Sequence, residues 1–374
     1  MKILIPTFEY PPQIGGISFY LLNTAKNWPK KDDEIVFCAP SMPNDRGFDA
    51  KNSWKVYRKK LLFRFFWPRW ARMMWHIFKI IRIEKPDIIF VHHALPIGYI
   101  ALVMKVLFKI PYVIFFHGTD FGFAVNSKSK LKKLEFVIKK ADYVVANSEY
   151  LRDRIKMYFS HFKPDIRVVY PCPSICEKIE PKLLDEFQKK YNPQKRPLIL
   201  TCGRLVKRKG QDNVIKSLPI VKEKIPNILY LICGNGSYEN DLRILSKELD
   251  VGGNVKFIDF VGKAELPYIY GISDIFVMPG RHEVKDDIEG FGIVLLEAAM
   301  CGKPIIAGNS GGMPEAVIEN ETGYLVDALD IDQIADRIIK LLTNKDLADD
   351  FGERGRQRIL KDFVFSEQLE KIAG

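Results

Sequence analysis

Cysteine is scarce in this chain, with six residues in 374 spread along its length. Cys202 and Cys233 fall in expected strands and Cys301 at the end of an expected helix. They read as small buried hydrophobes in a reducing compartment. Cys172 and Cys176 are close together, but no second pair completes a zinc site. Long hydrophobic runs are missing too. The longest apolar region, 96–116, is broken by Lys105, Lys109 and Pro111, so it reads as a buried helix and a strand rather than a membrane span. There is no low-complexity tract and no short internal repeat. Met1 opens directly into KILIPT without the layout of a signal peptide. Acid is nearly absent from residues 51–85, where eleven Lys and Arg face Glu84 alone.

What is present is ample apolar content, 47%, in a chain too long for one ordinary core, so two domains are expected. Strands and helices alternate throughout, the signature of doubly wound parallel sheets. In the first half, strands are expected at 2–6, 34–39, 88–93, 112–117, 143–147 and 168–170. Helices are expected at 17–28, 69–83, 96–108, 128–141 and 149–159, and a polar loop at 41–53. Residues 171–197 carry five prolines and read as the linker between a first domain, 1–170, and a second, 198–350. The second domain has expected strands at 198–202, 229–233, 255–257, 275–278, 304–307 and 323–326. Residues 351–374 form closing helices.

One stretch organises the second domain: residues 289–302, EGFGIVLLEAAMCG. Two glycines precede a helix expected at 293–300, which Gly302 and Pro304 stop. Glycine lets a ligand approach the backbone, and the unpaired first-turn amides suit an anion, a diphosphate above all. The amides of Gly290, Phe291, Gly292, Ile293 and Val294 are therefore candidates. Glu289 and Glu297 are separated by about 12 Å of helical rise. On spacing alone, Glu297 is equally an ordinary exposed helical residue and Glu289 a charge complementing the macrodipole. Gly203, Arg204 and the cations 207–209 follow a strand, where Arg offers a fork to phosphate oxygens and Lys a point charge. Arg204 and Lys209 are the candidates; Lys207 and Arg208 are expected to be solvated. In the first domain, Gly15 and Gly16 sit between a strand and a helix, the layout that wraps amides around a phosphate. His117 and Asp120, in HGTD, follow another strand end, where ligands of open parallel sheets bind.

The basic stretch 51–85 also holds four of the five tryptophans. Its helical part, 69–83, packs on its own sheet through Ile77 and Ile81. LLFRFFWPRW, at 61–70, mixes arginine with aromatics in a way that suits anionic lipid headgroups. Arg58, Lys59, Lys60, Arg64, Phe66, Trp67, Arg69 and Trp70 are the membrane or acceptor candidates. Plain packing is the alternative, and nucleic acid the less favoured rival anion.

Four pieces in order resemble the retaining GT-B glycosyltransferases of family 4. They are GRLVKRKG at 203–210, GNG at 234–236, E-x7-E at 289–297 and SGGMPE at 310–315, with looser support from Gly15-Gly16 and HGTD. The resemblance implies two Rossmann-like domains facing a central cleft, with the C-terminal helices crossing back to the first. It implies a nucleotide-sugar donor held by Gly15, Gly16, Gly203, Arg204, Lys209, Gly234, Asn235 and Gly236. Val261 and Lys263 would flank the base, Glu289 the sugar hydroxyls, Glu297 the ribose, and His117 the transferred sugar. His117, Arg204, Lys209 and Glu289 would form the catalytic group. Similarity to lipid-directed mannosyltransferases favours GDP-mannose as donor, with UDP-glucose or a UDP-N-acetylhexosamine as alternatives. It also favours a lipid-linked or glycan acceptor and a cytoplasmic location at the inner face of the membrane. No cofactor or metal is expected, because the one Asp-x-Asp, Asp330-x-Asp332, falls where N-capping explains it. Two rivals stand beside this. One is a nucleotide-sugar epimerase or hydrolase using Glu283 or Asp120 as base; the other is a protein that binds anionic polymers.

Overall fold

The computed structural model describes residues 1–13, 15–65, 67–173, 179–259, 261–262, 264–283 and 289–373, with Thr119 by its backbone alone. Phe66, Lys263 and Cys176, named above, lie outside the described residues. The chain divides into two units, Met1–Pro171 with Phe365–Gly374, and Cys172–Val364.

In the first unit, seven parallel strands follow from short runs of branched and aromatic residues. They are β1 Lys2–Pro6, β2 Glu34–Pro40, β3 Lys55–Lys59, β4 Ile88–Val91, β5 Tyr112–Phe116, β6 Tyr143–Ala146 and β7 Ile166–Val168. Their order is β3-β2-β1-β4-β5-β6-β7. Neighbouring residues serve opposite faces. Leu4, Val36 and Cys38 pack in one core, while Ile3, Ile5, Ile35 and Phe37 pack in the other. Both faces are thus covered, as a parallel sheet requires. The strand order reverses between β1 and β4, which opens a crevice at their carboxyl ends.

Four expectations change. The basic segment holds an edge strand, β3, paired with β2 from Val36↔Lys55 to Pro40↔Lys59. The stretch expected as a polar loop contains the helix Asp45–Asp49. The strand expected at 168–170 lies at Ile166–Val168, and the one expected to run through His93 ends at Val91.

The second unit has β8 Leu198–Cys202, β9 Leu229–Cys233, β10 Val255–Ile258, β11 Ile275–Met278, β12 Ile305–Gly308 and β13 Gly323–Val326. Their order, β10-β9-β8-β11-β12-β13, reverses between β8 and β11. The segment expected as linker holds the helix Pro181–Tyr191, whose Phe187 stacks on Tyr268 with ring centroids 5.2 Å apart. The closing helices part company: Lys345–Asp362 belongs to the second unit and Phe365–Glu370 to the first. There Leu369 and Ile372 join the core of Ile3, Ile5 and Val113. Tyr143 Oη donates to the carbonyl of Ile372 at 3.2 Å, and the Tyr170 amide to Gln368 Oε1 at 3.1 Å. Among the described residues no helix is long and apolar enough to cross a membrane.

Candidate active site

The second unit gathers its charged residues beside the reversal point. β8 ends at Cys202, and Gly203 turns the chain with φ 134°, leaving Arg204 exposed. Gly234 follows β9 and lies against that turn: a Cβ there would sit 2.2 Å from the Gly203 carbonyl oxygen. A Cβ on Gly236 would meet the Leu205 carbonyl oxygen at 2.2 Å. Both glycines flanking Asn235 are therefore required by backbone against backbone.

A single 3₁₀ turn, Lys207–Lys209, then divides its cations by direction. Lys209 turns inward, its Nζ 2.8 Å from Glu289 Oε2. Arg208 is also buried, with Nε 3.5 Å from the same oxygen, which corrects the expectation that it is solvated. Lys207 points out, its side chain 60% exposed and 4.0 Å from Glu283. Burial pushes the Glu289 carboxyl up, but the charges of Lys209 and Arg208 outweigh it and hold the group below the ordinary glutamate range.

An unexpected brace fixes this turn. Arg281 is buried, its guanidinium bidentate on Asp212 at 2.7 and 3.0 Å, with Nε on Glu283 at 2.7 Å. Its amide donates to the Arg208 carbonyl at 2.8 Å. A charged loop opposite an acidic first helical turn was the available signal, though spacing in the sequence does not pair them. Glu283, the candidate base of the epimerase alternative, is committed here.

Glu289 leads into Gly290, Phe291 and Gly292, the last with φ 90°, and then the helix Ile293–Met300. Ile293 and Val294 are half-buried. The Phe291 ring is buried against Phe363, with centroids 5.9 Å apart, so only its backbone faces the turn. The Gly312 amide donates to the Glu289 carbonyl at 3.1 Å, and a Cβ on Gly312 would meet the Gly290 carbonyl oxygen at 2.1 Å. The SGG segment is thus a backing plate for the turn. Glu297 is buried and accepts from Tyr270 Oη at 2.9 Å, so it is not an exposed helical residue. Val261 is buried. Asp330 accepts from the Gln333 amide at 2.9 Å, the N-cap expected of that Asp-x-Asp.

In the first unit, Gly15 precedes the helix Gly16–Lys26, and a Cβ on it would lie 3.0 Å from Glu9 Oε2. His117 follows β5. Its amide donates to Asp120 Oδ1 at 3.0 Å, its carbonyl accepts from Asn147 Nδ2 at 3.1 Å, and its Nε2 is 3.1 Å from Nδ1 of His92. Burial pushes His117 down to about 3, so its ring is neutral at physiological pH. Burial pushes Asp120 up to about 6, against the two amides that its Oδ1 accepts from. Oδ1 thus braces the turn, while Oδ2 is enclosed without a partner.

The basic aromatic candidates split. Phe65 and Trp67 are 90% and 83% exposed, and Arg64, Arg69 and Lys60 are exposed with them. Lys59 is half-buried, and Trp70 packs against the core. Arg58 turns inward, which corrects its assignment to the outer patch. It chelates Asp49 at 2.8 and 2.9 Å, donates to the Pro40 carbonyl at 3.1 Å and also reaches the Pro11 carbonyl. Alternation along β3 sends it to the inner side.

Two parallel α/β units with charged loops at the carboxyl ends of the strands define a GT-B protein. The solved structure of Anabaena HepE in complex with UDP-glucose shares the fold, with a TM-score of 0.81 at 18% identity, covering 100% of this chain and 98% of that one. Residues 14–172 match the family described as Glycosyltransferase Family 4, and residues 184–358 that described as Glycosyl transferases group 1. A GDP-mannose-dependent monoacylated alpha-(1-6)-phosphatidylinositol monomannoside mannosyltransferase of Corynebacterium glutamicum is 30% identical over 389 residues, covering 99% of this chain and 97% of its own. A GDP-mannose-dependent alpha-(1-6)-phosphatidylinositol monomannoside mannosyltransferase of Mycobacterium tuberculosis is 29% identical over 383 residues, covering 100% and 97%. The chain belongs to glycosyltransferase family 4.

Proposed function

We propose that this glycosyltransferase moves a hexose, mannose before glucose, from a nucleoside-diphosphate sugar to a hydroxyl of a lipid-linked acceptor, with retention at the anomeric carbon. GDP-mannose is the favoured donor, since relatives aligned along the whole chain are GDP-mannose-dependent. The observation that carries the reading is the pair of buried Lys209 and half-buried Glu289 beside the Gly290–Gly292 turn. It is a carboxylate suited to sugar hydroxyls, next to cations and amides suited to a diphosphate.

In this proposal Arg204, Lys209 and the amides at 290–294 neutralise the departing diphosphate. Arg208 adds to the field that keeps Glu289 ionised. Glu289 orients the sugar, Glu297 the ribose, and neutral His117 contributes to sugar recognition. Glu289 is tied to Lys209 and Glu283 to Arg281, so neither is free as a nucleophile. A front-face route follows. The acceptor oxygen bonds to the anomeric carbon on the face from which the diphosphate leaves, and a diphosphate oxygen takes the acceptor proton. The local cations supply the countercharge, so activity is expected to persist in EDTA. Exposed Phe65 and Trp67 beside Arg64 and Arg69 support work at an anionic membrane surface on the cytoplasmic side.

The test is transfer from GDP-mannose, UDP-glucose and UDP-N-acetylglucosamine to phosphatidylinositol mannoside and to a soluble glycan, with NMR of the new anomeric centre. Inversion, or hydrolysis that ignores acceptor, would overturn the proposal. So would full kcat in Glu289→Gln.

A further inference from the structure

His92 has no part in the chemistry proposed above, yet it is packed directly against a residue that does. It follows β4, is wholly buried and stacks on Phe115 with centroids 4.2 Å apart. Its Nδ1 faces Nε2 of His117 at 3.1 Å. The His117 ring is hemmed on another side by Tyr20, edge-on at 5.1 Å, and its backbone is pinned by Asp120 and Asn147. Burial pushes both imidazoles well down the pH scale, so both are neutral.

Two neutral imidazoles in hydrogen-bond contact share one bridging proton, and each ring carries one proton in all. Suppose His117 Nε2–H donates. His92 Nδ1 then accepts, and His92 must carry its own proton on Nε2. That atom is enclosed with no partner, so a buried N–H would be orphaned. Suppose instead that His92 Nδ1–H donates. The enclosed His92 Nε2 is then a bare lone pair, and the proton of His117 sits on Nδ1. Orphaned buried N–H groups are rarer in folded proteins than acceptors lacking a donor, which favours the second arrangement.

We propose that His92 is a positioning residue that locks His117 in the Nδ1–H tautomer, so that His117 offers its ligand a hydrogen-bond donor. The partner is then an oxygen lone pair, such as that of a sugar hydroxyl; that last step rests on His117 as a sugar contact. The lock discriminates: a sugar lacking the oxygen that His117 meets leaves its N–H unpaired.

The chain has six histidines, so a long-range ¹H–¹⁵N spectrum of the full protein is readable, with His117 assigned through its loss in His117→Asn. The expected pattern at neutral pH is a protonated Nδ1 and a bare Nε2 on His117. The reverse pattern, or two tautomers in exchange, overturns the proposal. Kinetics give a second arm. His92→Asn keeps an N–H near the position of Nδ1, whereas His92→Leu removes it. His92→Leu is expected to raise KM for the sugar nucleotide about tenfold with a smaller change in kcat, and His92→Asn to recover most of that loss. Equal losses in two folded variants would overturn the lock. The spectrum reads the ring whatever the protein transfers. The expected tautomer with no sugar transfer would therefore sink the functional reading and leave this one standing.

Discussion

Glu289 carries a charge where burial opposes it, and Lys209 makes that tolerable. Because its folded pKa lies below the ordinary value, the pair adds stability above about pH 4.5 that is lost as pH falls through the folded pKa. Lys209→Met leaves the carboxylate with Arg208 at 3.5 Å and should cost about 3 kcal/mol at pH 7. The loss should shrink only below about pH 4.5, as urea melts at pH 7 and near pH 3 would show. Asp120 runs the other way. Its folded value of about 6 exceeds the unfolded one, so ionising it removes stability as pH rises from about 4 to 6, and the full cost stands above that. Asp120→Asn keeps the acceptor for both amides and loses the buried charge. Its Nδ2 takes the place of the partnerless Oδ2 at every pH, so the charge is read from the slope: relative to wild type the variant should gain roughly 1–3 kcal/mol between pH 4 and pH 7. A constant difference across that range would remove the buried-charge account. At this scale Glu289 and Lys209 were legible, because glycines and a strand end framed them. The inward turn of Arg208 was not, since three consecutive cations do not reveal which one a 3₁₀ turn buries. Nor were the Tyr270–Glu297 and Arg281–Asp212 bonds, which join residues far apart in sequence.

Elements transmit strain to the site through backbone contacts. Gly312 has an ordinary φ, so alanine there meets only a steric obstacle, the Gly290 carbonyl oxygen at 2.1 Å. Relief requires shifting the Gly290–Phe291 turn. Gly312→Ala should lose about 1–3 kcal/mol in thermal or urea melts and raise KM for the donor several-fold. Gly253→Ala, with open space around it, is the control. An unchanged KM in a destabilised Gly312→Ala would mean that the turn does not touch the donor. The second sheet was largely legible, because each strand is an apolar run with a glycine or charged turn behind it. β3 was hidden because Lys55–Lys59 is an edge strand whose lysines and arginine dominate its pattern. Charge suggested a surface, whereas the alternation of Val56, Arg58 and their neighbours carried the strand.

For the molecule as a whole, the exposed Phe65 and Trp67 with Arg64 and Arg69 bear on where it works. If the proposed membrane role holds, the protein should sediment with vesicles containing phosphatidylglycerol and much less with neutral ones. Binding should weaken as salt rises, and Trp67→Ala with Arg69→Ala should lower it about tenfold. Wild-type protein that ignores anionic vesicles at low salt would end that role. Composition marked this stretch, though it could not separate Arg58 and Trp70, which face inward, from their exposed neighbours.

The return of residues 365–373 to the first unit bears on biosynthesis. Leu369 and Ile372 fill a core begun by Ile3 and Ile5, and they are translated only after the whole of Cys172–Val364. At on the order of 10 residues per second, the ribosome leaves that core open for about 20 seconds. Its missing face must wait, shielded by a chaperone or by a provisional packing, until the last helix emerges to replace it.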